Sequence, residues 1–192
     1  IKILKENSYT KFDEALEIAI NLGIDPNKTD QNIRGAVSLP KGTGKKIKVA
    51  VVAKSDKQAE AKEAGADVVG ENDLIETISK GNLNFDLIIA TPEMMPSIGK
   101  VAKILGPKGL MPNPKLGTVT DDIKTAVTDA KSGQVQFRND KAGIIHAGIG
   151  KMSFNENDLL ENLKSFFISI SKSKPESAKG SFIKKVTIAS TM

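Results

Sequence analysis

Hydrophobic and polar positions fall into two textures that alternate along the chain. In residues 12–22, FDEALEIAINL, Phe12, Leu16, Ile18, Ile20 and Leu22 share one parity, the period of a half-buried strand. After the turn-rich GIDPNKTDQ, the stretch NIRGAVSL repeats the alternation with Ile33, Val37 and Leu39 on one face. Pro40-Lys41-Gly42-Thr43-Gly44 then interrupts it. From Lys46 the texture changes. IKVAVVA is a continuous apolar run bounded by charge, the mark of a strand covered on both faces. A helix near 56–64, the short strand ADVVG and a helix from Asp73 to Lys80 follow. FDLIIAT reads as another buried strand, with helices around 97–104 and 121–131. Asn72 and Thr120 stand where N-caps belong, and Gly65, Gly81 and Gly133 where the residue after a helix C-terminus belongs.

After Ser132-Gly133 the first texture returns. QVQFR and GIIHAGI read as the strands of a hairpin turning at RNDKAG. A helix over 156–172 carries Leu159, Leu163, Phe166, Phe167 and Ile170 on one side, with Asn155 as its cap and Pro175 beyond its end. IKKVTIAST closes the chain as an alternating strand.

The expected fold class is therefore α/β. An outer α+β domain with an antiparallel sheet, residues 1–41 and 134–192, is interrupted by an inserted, Rossmann-like parallel α/β domain, residues 42–133. Gly42 and Gly44 on one crossing and Gly133 on the other suit a double-stranded hinge. The chain starts at Ile1 without Met, which suggests a trimmed piece of a longer protein.

Composition narrows the chemistry. With 39% hydrophobic residues the chain has material for a core. The absence of Cys excludes disulfides, thiolate metal sites and cysteine nucleophiles, and the single His146 excludes a multi-histidine metal centre. No apolar run approaches the roughly 18 residues of a membrane helix, and no signal-peptide pattern opens the chain, so a cytoplasmic setting is expected. The formal net charge of +5 points to an acidic partner. It is unevenly spread: residues 42–133 hold 13 Lys against 12 acidic residues, the remainder 15 basic against 11 acidic, with both arginines, Arg34 and Arg138, in the latter.

Most local motifs read as structure. Gly42-Thr43-Gly44-Lys45 lacks the upstream glycine of a phosphate loop, where Leu39 stands, and has Lys46 in place of the hydroxyl residue. Gly148-Ile149-Gly150 lacks the third glycine of a dinucleotide fingerprint. His146 has no base, metal or thiol companion and reads as a packed or surface residue. Asp121-Asp122 reads as charge at a helix N-terminus, not a metal pair. No catalytic, metal or cofactor set emerges, and a small α/β enzyme would need one.

Two segments remain. Gly106–Gly117, GPKGLMPNPKLG, is too rich in proline and glycine for a helix or central strand. It is either a rigid surface loop tucking in Leu110 and Met111, or a docking tip offering Lys108 and Lys115 to a phosphate-rich partner. The ends of the outer-domain sheet carry Lys11-Phe12, the RNDK turn, Lys151 to Phe154, and Ser190-Thr191-Met192. These are either ordinary loop residues or the mixture an RNA site uses: cations for phosphate, hydroxyls for the 2′-OH, apolar groups against ribose and base. With aromatics at 4%, structured RNA read by shape fits better than stacked single strands.

DQNIRGAVSLPKGTGK at 30–45, EAGADVVG at 63–70, ILGPKGLMPNPKLGTV at 104–119, FRNDKAGIIHAGIGKMSF at 137–154 and KGSFIKKVTIASTM at 179–192 together resemble the bacterial-type L-one family of large-subunit ribosomal proteins, the stalk proteins. The likeness covers essentially the whole chain. It implies a non-enzymatic protein, monomeric when free and without a cofactor. Such a protein binds structured large-subunit rRNA as a mobile stalk, assists release of deacylated tRNA and represses translation of its own operon mRNA. By motif, the RNA-contact residues implied are Lys11, Phe12, Asp140, Lys141, Lys151, Ser153, Thr191 and Met192, with Lys108 and Lys115 as secondary RNA or tRNA contacts. Three departures accompany the likeness: no glycine follows Met192, the basic N-terminal segment is absent, and Ala15 stands where relatives often carry Thr.

Overall fold

A computed structural model describes residues 1–8, 10–178 and 180–191, leaving aside the side chains of Thr29 and Lys115. The chain divides into two compact units: Ile1–Lys45 with Ser132–Met192, the outer unit, and Lys46–Lys131, the inserted unit. In chain order the outer unit opens with helix α1 (Lys2–Glu6), strand β1 (Ala15–Leu22) and strand β2 (Arg34–Ser38). The inserted unit runs β3 (Val49–Val52), α2 (Ser55–Glu63), β4 (Val68–Gly70), α3 (Asn72–Ser79), β5 (Leu87–Ala90), α4 (Met95–Gly99), α5 (Ala102–Leu105) and α6 (Ile123–Lys131). The outer unit then finishes with β6 (Gln134–Arg138), β7 (Ile144–Lys151), α7 (Glu156–Lys172) and β8 (Ile183–Ser190).

In the outer unit β1 is the central strand, antiparallel to β7 on one side and β8 on the other. Its alternation works as the sequence requires: Leu16, Ile18, Ile20 and Leu22 are all at most 2% exposed and meet Leu159, Phe166 and Ile170 of α7 in one core. Phe137 of β6 packs edge-on against Phe166, ring centroids 5.5 Å apart. Asn162 is a polar residue fully buried inside this core. It accepts the Lys41 backbone N–H at 3.0 Å and donates to the carbonyls of Gly42 and Ile149, each at 2.9 Å. That ties the chain leaving β2 to both α7 and β7.

The expected hairpin of QVQFR and GIIHAGI does not form as one ribbon. β6 pairs with β2 in a separate two-stranded sheet, while β7 joins β1. Only the turn itself is hairpin-like, with an isolated Asn139–Ile145 bridge, because each strand finds a longer partner elsewhere. Asn155 takes the extended conformation of a cap but makes no side-chain cap bond. Asn72 is the first helical residue of α3, not its cap.

The inserted unit is a parallel sheet in the order β4-β3-β5. All four residues of β3 are buried because helices cover both faces. Ala50 and Val52 face Ile78, Ile98 and Leu105, whereas Val49 and Val51 face Ala61, Ile123 and Val127. The helix expected at 97–104 is two short ones, α4 and α5, broken at Lys100-Val101 just after Gly99. Asp122, not Thr120, caps α6: its carboxylate accepts the Thr125 N–H at 3.2 Å and the Thr125 hydroxyl at 2.7 Å.

Candidate nucleic-acid interface

One face of the outer sheet carries the core; the other is open. Cross-strand partners share a face, so the register spells out the open side in rows. Gly148, Glu17 and Ala189 form one row, His146, Ala19 and Thr187 the next, and Ile144, Asn21 and Lys185 a third. Glu17, His146, Gly148, Lys185, Thr187 and Ala189 are all exposed. Gly148, Ala19 and Ala189 keep parts of this surface low, while the Glu17 carboxylate rises from the central strand and Thr187 and Lys185 stand along β8.

The residues expected at the RNA site fall at the two ends of this face. At the β1 entry, Lys11 and Phe12 are exposed, Phe12 at 57%. Their loop is pinned by Asp13, whose carboxylate accepts the Ser153 N–H at 3.0 Å and the Ser153 hydroxyl at 2.9 Å. Lys151 lies opposite Ala15 and donates its ammonium to the Asp13 carbonyl at 3.2 Å. Thr191 joins the same end, its N–H bonded to the Ala15 carbonyl at 3.0 Å. Met192 lies outside the described residues.

Beneath that loop sits Glu14, 2% exposed. Hydroxyls of Thr10, Ser190 and Ser8 donate to its carboxylate and, against the pull of burial, hold its pKa below the ordinary glutamate value of 4.5. Its own carbonyl accepts the Met152 N–H at 2.9 Å. Glu14 thus ties the Lys11-Phe12 loop to the ends of β7 and β8.

Asp140 and Lys141 lie at the opposite end. The eight-residue strand β7 separates them from Lys151, roughly 23 Å at the usual rise per strand residue. Asp140 shapes its own turn: Oδ1 accepts the N–H groups of Ile144 and Ala142, each at 2.8 Å. These bonds, the Ile144 one foremost, lower its pKa. Its Oδ2 faces His146 Nε2 at 3.7 Å. Lys141 is exposed. The expected residues are therefore not one cluster but two, joined by the open face.

In the inserted unit, Lys108 is exposed on the proline–glycine loop while Leu110 and Met111 pack against the core, so the tuck and the projecting cation coexist. The Thr118 hydroxyl clasps the loop, accepting the Asn113 N–H at 2.8 Å. The Lys115 side chain lies outside the described residues. Gly42, Gly44 and Gly133 all adopt positive φ. A Cβ on Gly133 would stand 2.4 Å from the Gly42 Cα, so the two crossings pass in backbone contact.

Sequence reasoning overlooked Glu14, Asp13, Thr187 and Lys185. The signal for the last two was present: the alternation in IKKVTIAST sets Lys185, Thr187 and Ala189 on the parity opposite Val186 and Ile188.

Residues 4–192 match the family described as "Ribosomal protein L1p/L10e family". Among curated proteins, the chain is 59% identical to the large ribosomal subunit protein uL1 of Rickettsia bellii, over its full length and 80% of that relative. It is 58% identical to the uL1 protein of Rickettsia canadensis and 57% to that of Rickettsia akari, with the same coverage.

Proposed function

This chain belongs to the ribosomal protein L1p/L10e family, and on that footing we propose how it acts in the ribosome. It is a constituent of the large subunit, not an enzyme, and rRNA is its general partner. The open face of the β7-β1-β8 sheet is the surface that meets structured rRNA, gripping it at both ends. Lys11, Phe12, Lys151, Ser153 and Thr191 contact it at one end, and Asp140 and Lys141 at the other; Met192, outside the described residues, is a further proposed contact. The observation carrying this reading is the open face with small residues at Ala19, Gly148 and Ala189, framed at its ends by cations whose neighbouring carboxylates, Asp13 and Asp140, are already engaged in hydrogen bonds, although the exposed Glu17 carboxylate stands on the face itself.

Recognition of this kind is by shape and backbone. Asp140 acts through its turn, presenting Lys141. In the inserted unit, Lys108 and Lys115 add secondary contacts to RNA or tRNA. The crossings serve as a hinge at Gly42, Gly44 and Gly133, where Gly42 is held by Asn162 and Gly133 lies against it. Acting as a mobile stalk, the protein assists departure of deacylated tRNA, and by presenting the same face to a similar RNA fold it represses its own operon mRNA.

The test is a salt titration of binding to an rRNA stalk fragment beside an unstructured RNA of equal length. Structure-selective binding with a moderate slope in log affinity against log salt is expected. Equal, steeply salt-dependent binding to both RNAs would reduce the interaction to generic charge and refute the shape-reading face.

A further inference from the structure

Twenty-six of the 28 basic residues are lysines, yet the two arginines stand directly opposite each other. Arg34 of β2 and Arg138 of β6 are register partners in the two-stranded sheet, and both are exposed. Neither guanidinium has a hydrogen-bond or ion-pair partner among the described residues. Like charges facing across a ladder destabilise it, and a lone exposed pair gains nothing in return from the protein. The turn after β6 is stitched to the same place: Asn139 accepts the Ile33 N–H at 2.8 Å and donates to Asn32 at 3.2 Å. This brings Lys141 and His146 to the rim of an open groove of about 740 Å³ that both arginines line. The groove's one carboxylate, Asp140, is engaged with the N–H groups of Ala142 and Ile144 and faces His146.

We propose that the Arg34–Arg138 pair is a phosphate-binding subsite that extends the RNA footprint past the edge of the β7-β1-β8 face onto the second sheet. Two planar forks side by side match the oxygens of successive phosphates, a geometry lysine cannot reproduce. The bound backbone supplies the negative charge that the protein withholds. The proposal rests on the reading of the outer unit as an rRNA binder, which it deepens by naming the groups that take the backbone there.

The experiment compares the whole chain with R34Q/R138Q, with R34K/R138K and with the charge-matched control K164Q/K172Q on α7, across a salt series with the rRNA stalk fragment. R34Q/R138Q should lose 10- to 100-fold in affinity at low salt, and its log–log salt slope should fall by about two, one per phosphate released. R34K/R138K should keep the slope while losing several-fold in affinity, and the α7 control should stay near wild type. Because relief of repulsion offsets any loss, R34Q/R138Q should melt no lower than wild type. If R34Q/R138Q behaves like the α7 control while wild type still selects the structured RNA, the arginine subsite is wrong and the sheet-face reading survives. A clear drop in the melting temperature of R34Q/R138Q would also overturn it, by giving the pair a structural role. If wild type does not select the structured RNA, the sheet-face reading fails, and the slope comparison still decides whether the arginines meet phosphate.

Discussion

Replacing Asn162 with alanine tests how the outer unit holds the chain where it leaves for the insertion. The amide makes three hydrogen bonds, to Lys41 N–H and to the carbonyls of Gly42 and Ile149, from a fully buried position. Each such bond contributes about 1 kcal/mol net, and each backbone group left dry and unpaired costs roughly 1–3 kcal/mol. Partial access of water to the Lys41-Gly42 side limits the total, so the expected loss is about 3–5 kcal/mol. For a chain of this size that lowers the melting temperature by roughly 10 °C. Urea unfolding followed by a probe in each unit makes the assay specific, since none of the three bonds lies in the inserted unit. The outer transition should move and the inserted one should not. Asn162→Asp should be worse than alanine, because a carboxylate would oppose two carbonyls. A loss under about 1 kcal/mol for Asn162→Ala, or equal shifts in both transitions, would refute the role given to this residue.

Phe12→Ala should weaken binding to the rRNA stalk fragment by about 1–3 kcal/mol with stability unchanged, since the ring is largely exposed, whereas Lys108→Ala should cost less; equal losses would erase the distinction between the two units. Glu14 has its pKa lowered by Thr10, Ser190 and Ser8, so the stability it supplies is present above 4.5 and drains away as pH falls through its depressed folded value. The stability gap between wild type and Glu14→Gln should therefore be wide at neutral pH and shrink steadily as pH falls below 4.5, and a constant gap would contradict the assignment. Gly133→Ala should destabilise by about 2–5 kcal/mol in thermal melts, because its φ of +106° and the Gly42 backbone 2.4 Å from the new Cβ leave no room to relax; a neutral result would mean that the crossings are not in contact.

Periodicity made the elements legible. Strand β1 announces itself by strict alternation, α7 by its apolar stripe, and β3 by a run too apolar to face water. Partnership was not legible. Nothing within QVQFR or GIIHAGI says that each pairs with a distant strand instead of its neighbour, since a turn signal specifies only the local reversal. The candidate site divides in the same way. Phe12 and Lys141 stand out as an apolar group and a cation in loops. Asp13 looks like a surface acid until the fold delivers the Ser153 N–H and hydroxyl from 140 residues away, and Glu14, whose Thr10 and Ser8 partners are local, gains Ser190 from the far end of the fold. The arginine pair needed the β2–β6 register to become a pair at all.

The central position of β1 has a consequence for synthesis. Both of its partners come late: β7 begins at Ile144 and β8 at Ile183. While the chain emerges in order, Leu16, Ile18, Ile20 and Leu22 have no sheet to enter; one edge of that segment stays unpaired until β7 is made and the other until β8 is made. The inserted unit, by contrast, has all its strands and helices in hand once Lys131 is out, and its short-range parallel pairings close early. A nascent chain stalled between these points would carry one finished unit and one sticky apolar ribbon. That is the state in which a chaperone is most needed and in which aggregation through an open strand edge is most probable.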